Sequence, residues 1–244
     1  MVTLPVLLGP VAGVAVGDSL VVGGDEARHA VVVRRTRVGE RVVLVDGLGT
    51  SATCAVTETS KASLVATVES VAVTPAPRPH VTVVQAIPKG DRAELAVAVL
   101  TEIGVDRIVP WAAARCIGTW RGERAAKSLT RWRSTAREAG KQSRRAWFPE
   151  VTPLATTPDV AVLVEDTDLA VVLHETSPAP LSSLSLEGIG SILVVVGPEG
   201  GITDEELAVL GSPHVVRMGE SVLRTSTAGV AAVAALLSRT SRWH

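Results

Sequence analysis

Tyrosine is absent from this chain and phenylalanine occurs once, at Phe148. Any core must therefore be aliphatic, and valine, alanine and leucine are plentiful enough to build one in 244 residues that are 46% apolar. Cysteine is nearly as scarce. Cys54 and Cys116 stand far apart, which excludes a disulfide framework and makes free thiols the expectation. The five histidines, at 29, 80, 174, 214 and 244, show no metal-ligand spacing, so no metal site is expected. No apolar run is long enough to span a bilayer, and the apolar N-terminal stretch lacks basic residues before it. A cytoplasmic protein with no membrane contact is expected. Neither a G-x-x-x-x-G-K-[ST] phosphate loop nor a G-x-G-x-x-G dinucleotide fingerprint occurs.

What the chain does contain is unevenly spread. The net charge is −1, yet between Arg115 and Arg145 ten basic residues face only two acidic ones, Glu123 and Glu138. From Glu150 to Val216 lysine and arginine are absent, while eleven Asp and Glu occur. A lone charge run is usually a solvated helix face, but a basic block set against an acidic one more often marks a surface for a polyanion. Trp111, Trp120, Trp132 and Trp147 lie in or beside the basic block. Indole there can pack under arginine stems or stack on bases, and core packing is the expectation for at least two of the four.

Taken in order, residues 1–73 read as a small β-barrel. Ser19–Val22, Glu40–Asp46, Ala52–Glu58 and Ser63–Val73 are rich in valine and threonine, and the last two alternate with period 2. Asp46-Gly47 and Gly49 suit a hairpin. A short helix starts at Asp25 and ends before Gly39 in Arg34, Arg35 and Arg37. Residues 74–80 are a linker, held extended by Pro75, Pro77 and Pro79. In residues 81–244 strands and helices alternate. Strands are expected at Val81–Ala86, Arg107–Ala112, Leu169–His174, Ile192–Val196 and His214–Arg217. Helices are expected at Asp91–Ile103, with Asp91 and Glu94 in capping-box spacing, and at Gly122–Gln142, with another capped by Thr157 ahead of Pro158. This alternation implies an α/β domain with a mostly parallel sheet, whose pockets open at the carboxyl ends of strands.

The stretch from Ile192 to Gly229 organises that domain. The apolar run Ile192–Val196 empties into Gly197-Pro198-Glu199-Gly200-Gly201, where glycine permits positive φ and close backbone approach by a ligand. Thr203 and Glu206 stand in capping-box spacing for the next helix. A second short strand runs into Met218-Gly219, and the cluster 225–227 suits the cap of an alanine-rich closing helix.

The order GPEGG, then T-x-x-E, then G-x-x-V-L-R-x-x-T-A resembles the C-terminal signature of the RsmE family, methyltransferases of the knotted SPOUT superfamily. The resemblance continues through Lys89-Gly90-Asp91-Arg92, Glu102-Ile103-Gly104-Val105, Pro110, Arg115-Cys116, Glu138-Ala139, Gln142-Ser143, Arg145, Pro149 and His174-Glu175. In the first domain His29, Val33 and Arg35 fit the family's H-x-x-x-V-x-R, although Arg34 stands where an apolar residue is usual. Ser221 and Ser226 replace the family's arginine and glutamate, so a scheme that needs a carboxylate at 226 does not carry over.

The resemblance implies a PUA-like β-barrel that grips RNA, followed by a SPOUT domain with a deep trefoil knot, a rare exception to unknotted topology. It implies S-adenosyl-L-methionine as cofactor, methylation of N3 of a uridine in 16S rRNA or the small ribosomal subunit, and a homodimer through the SPOUT domain. Leu173, His174, Glu175, Gly197, Glu199, Gly200, Gly201, Met218, Gly219, Val222, Leu223 and Arg224 are then the cofactor residues. His29, Arg34, Arg35, Arg37, Lys89, Arg92, Arg115, Gln142 and Arg144 are the RNA residues. Removal of the N3 proton calls for a base or for stabilisation of the anion. Glu138, with Glu199 behind it, is the candidate base, and Arg145 and Arg224 are the candidate stabilisers. An i, i+3 or i, i+4 pair of Glu138 with Lys141 or Gln142 on the helix is the competing structural role. A non-catalytic RNA-binding or ribosome-assembly protein that retains the SPOUT fold is the competing function.

Overall fold

The computed structural model describes residues 4–90 and 92–243. The chain divides into two compact units. The first comprises the residues up to Ala76 together with Gly140–Phe148, and the second comprises Pro77–Ala139 and Pro149–His244. The cut between Ala76 and Pro77 falls inside the proline-rich stretch.

The first unit holds β1 (Val6–Leu8), β2 (Ser19–Gly23), the short helix α1 (Gly24–Arg28), β3 (Arg41–Val45), β4 (Thr50–Thr59) and β5 (Ser63–Val73). They form one sheet in the order β1-β3-β4-β5-β2, antiparallel except for the β1–β3 pair. Alternation puts every second side chain inward. Leu7, Leu20, Val22, Val42, Leu44, Ala52, Cys54, Val56, Leu64, Ala66 and Val68 meet in a single core, so all five strands wrap it. The turn between β3 and β4 is built as expected: the Asp46 carboxylate accepts the amides of Leu48 (2.7 Å) and Thr50 (3.0 Å), with Gly47 and Gly49 at positive φ. A π-helical turn, His29–Val33, follows α1. Residues 140–148 belong to this core by contact: Gly49 donates to the Ala146 carbonyl (2.9 Å), Phe148 to that of Gly47 (2.8 Å), and the Trp147 indole to that of Thr74 (2.9 Å).

The second unit contains β6 (His80–Ala86), α2 (Arg92–Ile103), β7 (Arg107–Trp111), α3 (Glu123–Gln142, whose last three residues belong to the first unit), β8 (Glu150–Val151), α4 (Thr157–Glu165), β9 (Leu169–Leu173), β10 (Ser191–Val196), α5 (Asp204–Val209), β11 (His214–Val216) and α6 (Thr225–Leu237). The six strands form a parallel sheet in the order β11-β9-β10-β6-β7-β8. Both faces are covered, as the unbroken apolar runs require. In β10, Ile192, Val194 and Val196 face one core while Leu193 and Val195 face the other. Each such buried side chain contributes roughly 1.5–3 kcal/mol. Helix α6 lies close on β10 because Gly229 has no side chain: a Cβ there would stand 3.2 Å from both Leu100 Cδ2 and Val196 Cγ2.

Two helix starts differ from expectation. Helix α4 is capped by Thr156, not Thr157: the Thr156 hydroxyl accepts the Asp159 amide, and the Asp159 carboxylate accepts the Thr156 amide (2.8 Å). Thr157 is engaged elsewhere, accepting from Trp111 Nε1 (3.2 Å) and donating to Glu206 Oε1 (3.3 Å). Helix α6 is capped by Arg224 without a side-chain bond, and Thr225 and Ser226 are buried inside its first turn. The expected cap Asp91 of α2 lies outside the described residues. Strands β1 and β8, of three and two residues, are too short to leave a periodic signal.

Candidate functional site

Three parallel strands end side by side. Strand β10 runs into Gly197–Gly201, β9 into His174 and Glu175, and β11 into Arg217–Leu223. Together with Arg115 and the start of α6 they line a cavity of about 480 Å³. The opening thus lies at the carboxyl edge of the sheet, where loops leave adjacent strands.

The walls are held by local bonds. Gly201 closes a turn by donating to the Pro198 carbonyl (2.9 Å), at φ +77, which a side chain rarely adopts. Gly197 and Gly200 are required by the protein itself: a Cβ at 197 would lie 2.6 Å from Ile202 Cγ1, and one at 200 would lie 2.9 Å from Arg115 Cβ. The capping box of α5 is formed, with Glu206 Oε2 accepting the Thr203 amide and Thr203 Oγ1 accepting the Glu206 amide (3.1 Å each). The Glu199 carboxylate accepts the Lys89 amide (3.3 Å), and Arg115 Nη1 donates to the Gly200 carbonyl (3.0 Å). His174 donates its amide to the Val216 carbonyl (2.8 Å), and its Nδ1 lies 3.0 Å from Thr176 Oγ1. Buried Gln85 joins β6 to the first turn of α6 through its Nε2, which donates to the carbonyls of Ala86 (3.0 Å) and Thr225 (3.2 Å). In the first turn of α5, the Glu205 carboxyl is held below its usual range by its own amide, then by the Thr203 hydroxyl, with a smaller contribution from Arg115. Burial pushes the Cys116 thiol up, so it is a poor thiolate at neutral pH.

All twelve residues that the sequence assigned to the cofactor line this one cavity. Of the three catalytic candidates, Arg224 lines it and Glu138 and Arg145 do not. Lys141 pairs with Glu26 at 2.5 Å. Glu199, the second candidate base, is in the lining, as is Ser221, where the family has arginine. Among the RNA candidates Arg115 is part of the cavity wall. His29, Arg34, Arg35 and Arg37 are exposed around the π-helical turn of the first unit, and Gln142 and Arg144 are exposed on its 140–148 segment. Arg35 (φ 59) and Arg144 (φ 57) are the non-glycine residues at positive φ among those described. Lys89, after β6, and Arg92, at the start of α2, are exposed. Arg217 lines the cavity and was missed, although its place at the end of a strand before Met218-Gly219 was signal enough. Trp111 and Trp132 are core residues, and Trp120 packs edge-on against Trp132 with centroids 5.0 Å apart.

Two family models match the chain. A model described as an RNA methyltransferase domain covers residues 74–237, and one described as an RNA methyltransferase PUA domain covers residues 22–69. The chain is 45% identical to ribosomal RNA small subunit methyltransferase E of Mycobacterium bovis, over 93% of its own length and 89% of the relative's. It is 30% identical to the enzyme of the same name from Bacillus subtilis, over 89% of each chain. The crystal structure of the Neisseria gonorrhoeae enzyme of that name, bound to S-adenosyl methionine, superposes with a TM-score of 0.85 at 29% identity, over 97% of this chain and 98% of that one. A Legionella pneumophila methyltransferase in complex with the same cofactor superposes with a TM-score of 0.88 at 25% identity, over 98% of both. A PUA-like first domain, a parallel α/β second domain with its cavity at the strand ends, and relatives that match nearly end to end agree on one assignment: the chain belongs to the RsmE family of RNA methyltransferases.

Proposed function

We propose that this protein transfers a methyl group from S-adenosylmethionine to N3 of a uridine in the RNA of the small ribosomal subunit, acting as a homodimer through its second domain. The observation that carries the reading is the convergence of His174-Glu175, Gly197–Gly201 and Met218–Arg224 on one cavity. Its volume of about 480 Å³ lies within the ~300–1,000 Å³ usual for small-molecule sites. The residues present suit the cofactor. Backbone groups of the two glycine turns can read the adenine edge, Val222 and Leu223 offer apolar cover for its faces, and the carboxylates of Glu175 and Glu199 suit a sulfonium or ammonium.

When bound, the cofactor supplies an electrophilic methyl carbon, so the chain needs neither a metal nor a nucleophile of its own. Its remaining task is the weakly acidic N3 proton. Arg224 stabilises the anion that forms as the proton leaves, and Glu199 accepts the proton, since these two candidates line the cavity. The exposed arginines around the π-helical turn of residues 1–73 grip phosphates away from the reacting base.

Calorimetry with S-adenosylmethionine tests the cofactor assignment, and single-turnover methylation tests the roles. Glu199→Gln should lower the chemical rate at saturating cofactor by roughly a hundredfold or more, beyond any weakening of cofactor binding that loss of its charge brings. Its residual rate should climb with pH as hydroxide replaces the carboxylate. Arg224→Ala should lose about 3 kcal/mol of transition-state stabilisation without that pH dependence. Larger losses for Glu138→Gln and Arg145→Ala than for these two would overturn the assignment.

A further inference from the structure

The capping box of α5 contains one side chain that does more than cap. Glu206 is buried, with 6% of its surface exposed, and both of its oxygens are used. Oε2 accepts the Thr203 amide and so completes the box (3.1 Å). Oε1 points away from α5 and accepts the Ala114 amide at 2.8 Å, with the Thr157 hydroxyl at 3.3 Å. Ala114 belongs to the loop leaving β7, on the far side of β10 and β6 in the sheet order. The next residue is Arg115, whose Nη1 donates to the Gly200 carbonyl at 3.0 Å. Contact between the two is so close that a Cβ on Gly200 would stand 2.9 Å from Arg115 Cβ and 3.3 Å from the Arg115 carbonyl oxygen.

We infer that Glu206 is a positioning residue for the cofactor cavity: it anchors the Ala114–Arg115 loop, and through Arg115 it fixes the Gly197–Gly201 turn whose backbone reads the ligand. The inference rests on the cofactor reading given above. A carboxylate suits the task because it accepts two amides and a hydroxyl at once, and ionised acceptors make the stronger bonds. Glutamine at 206 would keep one acceptor oxygen and turn an N–H₂ toward an amide that is itself a donor. One of the two links, to Thr203 or to Ala114, would then be lost. Arg115 is thereby a wall of the cofactor cavity, a role different from the RNA contact that the basic block suggested. Thr203 provides the internal control, because its hydroxyl bonds only within the first turn of α5, to the Glu206 amide and the Glu205 carboxyl, and Thr203 does not line the cavity.

The experiment compares wild type, Glu206→Gln, Arg115→Ala, the double variant and Thr203→Ala by calorimetry with S-adenosylmethionine, by thermal melting and by steady-state methylation. The wild-type titration comes first: no cofactor binding there refutes the cofactor reading itself. With wild-type binding established, Glu206→Gln and Arg115→Ala should each weaken affinity about tenfold, the scale of one charge-assisted bond. The double variant should be no worse than either single one, because the two residues act in series. KM for the cofactor should rise while kcat holds. Thr203→Ala should lower the melting temperature with affinity changed less than twofold. In the wild-type protein the Ala114 amide should exchange slowly with solvent, a test that needs no folded variant. Unchanged affinity in Arg115→Ala, or in a Glu206→Gln protein whose Ala114 amide has lost its protection, independent multiplicative losses in the double variant, an equal affinity loss in Thr203→Ala, or an unprotected Ala114 amide in the wild type would each overturn the inference.

Discussion

Gly219 separates a ligand's demand for glycine from the protein's own. It lines the cavity between Met218 and Ser221, and a Cβ built on it meets no protein atom within 4 Å. Its φ lies outside the left-handed range, so alanine can adopt its backbone without strain. Gly219→Ala should therefore leave folding unharmed, and restriction of the unfolded chain even favours alanine by about 0.4–1 kcal/mol. The added carbon meets open space at a residue that lines the cavity, so any cost in affinity comes from the ligand. Overpacking of that kind costs about 1–3 kcal/mol, or roughly fivefold to 150-fold in Kd, and Gly219→Val should stand at the upper end. Gly197→Ala is the opposite case, since its Cβ would press on Ile202 Cγ1 at 2.6 Å and disturb the turn itself. It should lose stability and affinity together. Calorimetry with S-adenosylmethionine, paired with urea unfolding, measures both quantities for each variant. A stably folded Gly219→Val protein that binds the cofactor as tightly as wild type would refute the idea that the ligand approaches this backbone.

Three further outcomes follow from other parts of the molecule. Arg242 and Asp106 form a buried ion pair at 2.6 Å, with the guanidinium also donating to the carbonyls of Pro79 and Gly104; Arg242→Ala removes the cation from a buried carboxylate that still accepts the Val81 amide (2.9 Å) and should destabilise the protein by about 3 kcal/mol in urea titration, and a loss under 1 kcal/mol would contradict this. Charge reversal at Arg35 and Arg37 should weaken RNA binding and lower the slope of log K against log salt by about one unit for each lost phosphate contact, with cofactor affinity unchanged. The Asp168 carboxyl is held below its ordinary value of 3.8 by the Ser191 hydroxyl first, then by the Gly190 amide. A depressed carboxyl stabilises the fold above its unfolded pKa, and that contribution is lost as pH falls through the folded value. Asp168→Asn should thus be less stable than wild type at neutral pH, with the gap closing in the acid limb of a pH–melting profile.

Much of the second unit was legible in the sequence because its signals are local. The runs at 81–86, 169–173 and 192–196 are short, apolar and β-branched, and each is bounded by turn residues, so strand type and burial follow from composition. The cavity residues were legible because they sit where those runs stop. The segment 140–148 was not, since it looks like the tail of a basic helix and is placed by partners near residues 47–49 and Thr74. The double duty of Glu206 was equally hidden. Its spacing from Thr203 announces a cap, whereas its bond to Ala114 spans 92 residues and leaves no trace in local pattern. The basic block was legible only as charge, which does not reveal that Arg115 reaches Gly200, that Arg133 Nε donates to the Val151 carbonyl, or that Lys141 pairs with Glu26.

The central claim is the transfer of a methyl group to uridine N3. Purified protein is incubated with small ribosomal subunits from cells lacking it and with methyl-labelled S-adenosylmethionine, and the RNA is then digested to nucleosides for mass spectrometry. The account predicts label in 3-methyluridine alone. Label in a ribose-methylated or carbon-methylated nucleoside, or no label although the cofactor binds, would contradict it.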